Sequence, residues 1–485
     1  MPLAPKNLLV IMSDEHNPRA LGAAGHRLAR TPHLDRLAAR GARFTSAYVT
    51  SPICVPSRAG FATGKYQHQV GYWDNADPYE GAVPSWHHLL RAQGHQVVSI
   101  GKLHFRGLPG DDHGFSQELL AMHVLDGIGD LKGLVRTEIP LRGGYDKLAK
   151  LAGPGESPYT RYDRDIAARA QSWLREEGRQ RRERPWVLFV SFVCPHFPLI
   201  APPEFYDLYP LERIPLPKQY LERERPDHPY LRDYAACVGY DLGFGGDHDK
   251  VRRALAGYLG LVSFMDDNVG KVLRALEDAG LAGDTRVVYT SDHGDNVGAR
   301  GLWGKSTMYE ESAGTPLMIA GPDVAAGTCT VPVSHVDLFP FFLECAGCPA
   351  PAGAYHGVSP LSLTAARDAE RAVISEYHAI GSTGGITMLR KGRWKYVHCA
   401  RYRPQLFDLE ADPEELVDLG DDPAHHATVA ALEAELRRFC DPDEVDARAK
   451  RRQAETLARH GGREAALARG DLNYTPAPGQ APDIN

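Results

Sequence analysis

With 485 residues, 43% of them hydrophobic and 24% charged, the chain is long enough for two or more folding units around a large core. A formal net charge of −7 gives no reason to expect nucleic acid or an acidic membrane surface as partner. No apolar run approaches the ~20 residues of a bilayer crossing. The start, MPLAPKNLLVIMSDEH, passes from one short apolar stretch straight into charge, unlike a signal peptide, and the eight cysteines follow no regular spacing. A reducing, cytoplasmic location with buried thiols is therefore expected.

In chain order, residues 8 to 13 read as a buried strand. TPHLDRLAARG follows as a helix with Thr31 as cap, Pro32 in its first turn and Gly41 at its end. SWHHLLRAQG is a second helix capped by Ser85, followed by the strand QVVSIG. The Gly-rich stretch from 105 to 160 predicts a long loop or lid that shapes specificity. A charged amphipathic helix around 161–183 leads into WVLFVSFV, a run suited to a strand buried on both faces. Apolar residues at helical spacing from 251 to 279 precede another buried strand, RVVYTSDHG. This alternation implies an α/β fold with a large central, mostly parallel sheet between helices. Cys345 and Cys348 close an apolar helix and are assigned to core packing.

Near residue 365 the pattern changes. RAVISEYH and GITMLRKGRWKYVHC, with a Lys391-Gly392 turn, predict antiparallel strands, and a helix is expected around 425–439. The division is a catalytic α/β domain over 1–365 and a smaller C-terminal α+β unit over 366–485. The latter ends in a charged helix, from about 443, and a Pro-containing tail expected to pack on this subunit or on a partner.

Three predicted strands end in polar clusters: Asp14 and Glu15, Cys194 and His196, and Asp292 and His293. In open α/β sheets ligands gather at such ends. Asp14, Glu15, Asp292 and His293 would together make a site for a divalent cation. Cys54-Val55-Pro56-Ser57-Arg58 in SPICVPSRAGFATG resembles the C-x-P-S-R signature of the type I sulfatases, of the alkaline phosphatase superfamily. GKLHF, FVCPHFP and SDHGDNVGARGLWGKSTMYEES resemble that family's further elements in the same order, and VSHVDLFPFFLECAG its structural helix, which gives His335 a packing role.

The resemblance implies an alkaline-phosphatase-like sandwich and a sulfuric ester hydrolase that cleaves a sulfate monoester. Cys54 would be converted by a formylglycine-generating enzyme to formylglycine, whose hydrated gem-diol attacks sulfur, bound to a metal held with Asp14, Glu15, Asp292 and His293. Arg58 would steady the gem-diol oxygen and the metal carboxylates, and Lys102 and Lys305 the sulfuryl oxygens. His196 is the candidate acid for the leaving oxygen and His104 the base for collapse of the intermediate. Asn75 is either a sulfuryl contact or a turn residue. Glu376 and His378 either border the pocket or end a surface strand.

Two departures loosen the metal. The family often has Asp or Gln where this chain has Glu15, which could ligate or turn to Arg58, and Asn where it has His293. Calcium is expected first, manganese as the alternative. An arylsulfatase-like substrate ranks ahead of a phosphonate monoester or phosphodiester, since all three are monoanions and fit the charge. Choline sulfate ranks below them, because the loop from 116 to 140 lacks the aromatics of a quaternary-ammonium cage. A non-catalytic anion-binding relative ranks last. The charged C-terminal extension also points to a homo-oligomer.

Overall fold

The computed structural model describes residues 3–349, 353, 355–365, 370–472 and 474–484. The central sheet contains β1 (Asn7–Asp14), β2 (Gly41–Phe44), β3 (Val97–Lys102), β4 (Gln117–Met122), β5 (Val187–Pro195), β6 (Thr285–Ser291), β7 (Leu317–Ala320) and β8 (Gly327–Cys329). Their spatial order is β8-β2-β7-β6-β1-β5-β3-β4. The run β6-β1-β5-β3-β4 is parallel throughout, whereas β7 is antiparallel to both β6 and β2.

Alternation along β1 shows why its sequence is an unbroken apolar run. Leu9 and Ile11 enter one core with α1 (Pro32–Ala39), while Leu8, Val10 and Met12 enter another with α2 (Cys54–Thr63) and α3 (Trp86–Ala92). The first core is completed by α4 (Pro158–Glu176) and by the long α6 (His248–Asp278), and the second by α7 (Leu338–Ala346); α5 (Pro229–Val238) packs in a third cluster. Helices on both faces force both sides of the parallel strands to be apolar. Among the described residues no helix is long and apolar enough to cross a membrane.

The C-terminal unit is an antiparallel meander of β9 (Ala372–Tyr377), β10 (Ile386–Lys391), β11 (Trp394–Cys399) and β12 (Gln405–Asp408). Val373, Tyr377, Met388 and Val397 face Tyr230 and Tyr234 of α5, and Ile374, Leu389 and Leu406 face Leu432 and Leu436 of α8 (His426–Leu436). Gly392 takes φ +55° in the two-residue loop between Lys391 and Trp394, as the sequence predicts. The expected boundary at 365/366 abuts residues 366–369, which lie outside the described residues.

Several local expectations change. Thr31 does not cap α1; its hydroxyl donates to Asp35 Oδ1, and the free N–H groups of His33 and Leu34 are taken by Asp266 of α6 at 3.0 and 2.8 Å. Gly41 belongs to β2, where a Cβ would lie 2.3 Å from the Ile319 carbonyl oxygen. α4 stops at Glu176 rather than near 183. The charged end is two helices, α9 (Pro442–Arg459) and α10 (Gly462–Ala468), and it packs on this chain through Val445 and Ala449 against Trp73, and Ala466 beside Leu131 and Leu134.

Candidate active site

The cluster forms where the parallel strands end. β1 carries Asp14 and Glu15, β6 leads to Asp292 and His293, β3 ends at Lys102 two residues before His104, and β5 leads to His196. Glu15 and His104 both take positive φ, 68° and 55°, as each chain turns out of the sheet. Gly101 is needed for the bulge that turns Lys102: its φ is +104°, and a Cβ there would meet the Ser191 carbonyl oxygen at 2.2 Å.

Cys54 opens α2, every residue of which is buried. Ile53 precedes it and offers no capping side chain, so Asn75 Oδ1 accepts from the Val55 N–H at 3.2 Å from outside the helix. Asn75 is thus a turn-segment residue that holds the start of α2 and also lines the cavity. Ser57 Oγ donates to the Asp292 carbonyl at 2.5 Å, which locks α2 to the end of β6.

Arg58 ties the acidic strand ends together. It donates from Nε to Asp292 Oδ2 at 2.7 Å, from Nη2 to Asp14 Oδ2 at 3.3 Å, and from Nη1 to the Lys102 carbonyl at 2.8 Å. The Lys102 ammonium also pairs with Asp14. Burial works against ionisation of Asp14, but Lys102, Arg58 and Lys305 hold it well below the usual carboxylate range.

Asp14, Cys54, Asp292 and His293 each bring a ligand atom within 4.8 Å of the others. The His293 Nδ1 position faces the Gly294 carbonyl at 2.9 Å and must carry the proton, which leaves Nε2 bare toward Cys54 Sγ at 3.2 Å. Two carboxylates, a bare imidazole nitrogen and residue 54 suit one divalent cation. Glu15 turns elsewhere. It clusters with Asp14 and His196, its oxygens lie 3.4 Å from Lys305 Nζ and from His196 Nε2, and neither has a hydrogen-bond partner. Burial outweighs Lys305 and pushes the Glu15 carboxyl well above its ordinary value. Neither the Arg58 contact nor a place in the Cys54 group is seen for it.

Lys305 Nζ donates to Cys54 Sγ at 3.2 Å and lies 2.9 Å from His196 Nε2. His196 Nδ1 faces the Phe197 carbonyl at 2.7 Å, so Nε2 accepts from the ammonium. Burial and then Lys305 hold His196 well below the usual histidine range, whereas Cys54, Glu15 and Asp14 overcome burial to keep Lys305 protonated. His196 is therefore neutral, beside the charged Lys305. His104 is buried with both ring nitrogens unpartnered, and burial, then Lys102 and Arg58, keep it neutral.

Sequence reasoning missed the residues that set Lys305. Asp295 Oδ1 accepts from Gly304 N at 3.0 Å, and Asn296 Nδ2 donates to the Gly304 carbonyl at 2.6 Å. Both stand in the quoted segment, but nothing in their spacing marks them. Of the aromatic wall, the sequence offers Phe197 and the C-terminal unit as candidates, together with Trp73 and Tyr145, which do not line it; Phe197, Tyr234, Tyr240 and Tyr474 come from four segments to line a cavity of about 110 Å³ beside Cys54. The Gly-rich stretch contributes Val124, Asp130 and Arg142 to that wall, and the C-terminal tail Leu472 and Thr475. Glu376 and His378 neither border this cavity nor reach the surface; both are buried. His335 is buried against Phe61, in the packing role expected of it. All eight cysteines are free.

A mostly parallel sheet whose strand ends present carboxylates, cations and a helix-borne residue 54 defines a hydrolase of anionic esters with the alkaline-phosphatase-like fold. The sulfatase family profile matches residues 6–348, and that of the N-sulphoglucosamine sulphohydrolase C-terminal region matches 298–441. The chain belongs to the sulfatase family and is a sulfuric ester hydrolase. It is 33% identical over 467 residues to the choline-sulfatase of Rhizobium meliloti (strain 1021), covering 92% of this chain and 89% of that protein. Among solved structures it resembles the phosphonate monoester hydrolase SpPMH from Silicibacter pomeroyi (TM-score 0.71, 24% identity, 90% and 95% of the two chains). It also resembles BT4656, solved in complex with its substrate D-glucosamine-2-N,6-O-disulfate (TM-score 0.71, 23% identity, 91% and 100%).

Proposed function

We propose that the protein hydrolyses a small sulfate monoester, with Cys54 converted to formylglycine and one divalent metal held by Asp14, Asp292, His293 and residue 54. The observation that carries this reading is the meeting of Lys305 Nζ and His293 Nε2 on Cys54 Sγ, each at 3.2 Å. As a thiol, Cys54 is pushed up by burial, then by Asp14, and is a poor nucleophile. The metal when bound supplies Lewis-acid charge, and formylglycine when formed supplies a hydroxyl nucleophile. Calcium suits the carboxylates and is the first candidate; the bare His293 nitrogen supports manganese as the alternative.

Arg58 holds the two metal carboxylates in place. Lys102 and Lys305 neutralise sulfuryl oxygens. His196 would protonate the leaving oxygen, and His104 would serve as the base in the second half of the reaction. Because every residue of α2 is buried, a formylglycine-generating enzyme has to reach Cys54 before the fold closes. Free thiols throughout support a cytoplasmic location, and the charged face of α9 supports a homo-oligomer.

A second reading concerns the leaving group. The four aromatic rings lining the cavity answer the objection from the aromatic-free loop and favour a quaternary ammonium as strongly as an aryl group. Parallel rates on an aryl sulfate, choline sulfate and an aryl phosphonate monoester decide among them. A large preference for the phosphonate overturns the sulfate reading. Mass spectrometry of the Cys54 peptide tests the nucleophile: an unmodified thiol in fully active protein refutes it.

A further inference from the structure

Glu376 and His378 stand at the end of β9, outside the catalytic cavity. Glu376 is fully buried, and its oxygens accept from the His68 backbone N–H at 3.2 and 3.3 Å. Glu376 Oε2 lies 2.9 Å from His68 Nδ1, and Oε1 lies 4.0 Å from His378 Nε2. Cys440, between α8 and α9, completes a group in which His68, Glu376 and Cys440 each bring a ligand atom within 4.8 Å of the others. His378 is 1% exposed and packs against Trp73, yet neither of its ring nitrogens has a hydrogen-bond partner.

This environment is unusual for a buried carboxylate. Among the described residues no Lys or Arg comes within ion-pair distance of Glu376; its only charged-type neighbours are the two imidazoles. Arg448 and Arg136 approach, but they donate to the backbone carbonyls of His68 and His378. A buried anion without a cation is costly, and an orphaned buried imidazole adds to that cost. One dication beside Glu376 and a Cys440 thiolate would bring the local charge to zero.

We propose that His68, Glu376 and Cys440, joined by the neighbouring His378 when the ion binds, form a second, structural metal site for Zn²⁺ or a cation of similar borderline softness. Two imidazoles, a carboxylate and a thiol are the donor types zinc takes. With bonds of about 2.0–2.3 Å, neighbouring ligands around a tetrahedral zinc lie about 3.3–3.7 Å apart. The observed separations of 2.9 and 4.0 Å straddle that spacing. Burial and Glu376 hold the free Cys440 thiol up at about 12, so uptake of the metal releases its proton. The site fastens three segments: the turn after the nucleophile helix, the end of β9 and the link from α8 to α9.

Two measurements on the full-length protein test this. After chelation and reloading with Co²⁺, a thiolate-to-cobalt charge-transfer band is expected that Cys440→Ser abolishes and Cys54→Ser retains. The His113–Glu118–His123 group has no thiol and cannot supply such a band. In the unsubstituted protein, Zn²⁺ should slow iodoacetamide alkylation of Cys440 at least ~10-fold, read by peptide mass spectrometry, and His68→Gln should remove that protection. Persistence of the band in Cys440→Ser, or equal alkylation rates with and without Zn²⁺, overturns the proposal.

Discussion

Lys305 Nζ sits 2.9 Å from His196 Nε2 and 3.2 Å from Cys54 Sγ, so one ammonium touches both the nucleophile position and the imidazole beside it. The Lys305 and Phe197 contacts fix the tautomer of His196, the proposed acid for the leaving oxygen. His196→Gln should lower kcat for a poorly activated sulfate ester by ~10²–10⁴. The loss should shrink for esters of acidic phenols, whose leaving oxygen needs no proton. A uniform loss across leaving groups, measured as a slope of log kcat against phenol pKa, would count against the acid role.

Cys54→Ala should reduce turnover to background while the protein still folds, because the change only shortens a buried side chain at the start of α2. Near-ultraviolet circular dichroism and residual hydrolysis together check it. Retained turnover removes residue 54 from the chemistry.

Arg58→Ala leaves Asp14 and Asp292 as buried carboxylates with less compensation, and breaking such pairs costs about 3–5 kcal/mol. A divalent cation should return part of that stability, since it takes over the same oxygens. Urea unfolding of the variant with Ca²⁺ and with chelator measures both effects; the unsubstituted protein should also lose stability on chelation, by a smaller amount.

Away from the site, Glu433 and His398 predict a pH dependence. His398, with Tyr396 and against the opposing effect of burial, sets the Glu433 carboxyl at about 2, below its ordinary 4.5. Its contribution is complete above 4.5 and fades as pH falls toward 2. His398 is raised above 6.5, with Glu433 and Asp443 outweighing burial, so its contribution is complete below 6.5 and is lost as pH rises through the higher folded value. Glu433→Gln should therefore cost most between pH 4.5 and 6.5. The cost should reach ~1 kcal/mol at most, because the pair is partly exposed to solvent. Thermal unfolding at pH 5.5 and 9 checks it, and an equal cost at both refutes the linkage.

Asp295→Ala frees the Gly304 N–H and should let Lys305 drift, with kcat falling more than KM rises. Asp295→Asn, which keeps an acceptor for that N–H, should recover much of the rate. Failure of Asn to recover more than Ala would assign Asp295 something other than positioning.

The sequence by itself determined the catalytic strands and the chemistry they carry. Runs such as residues 8–12 and 187–193 have to be buried on both faces, and the polar residues following them have to lie at strand ends. The resemblance of C-V-P-S-R to the family signature marks Cys54 because that pattern sits within five residues. The sequence also carried the C-terminal meander, whose turn needs a glycine at 392. Tertiary structure alone decided which polar groups meet. Glu15 faces Lys305 and His196 because positive φ turns it out of β1, and Asp266, 235 positions beyond Thr31 in the chain, displaces that residue as the cap of α1. The aromatic wall and the His68–Glu376–Cys440 group are assembled from segments far apart in the chain. Such contacts leave no periodicity to read, since packing of distant elements, and no local rule, creates them.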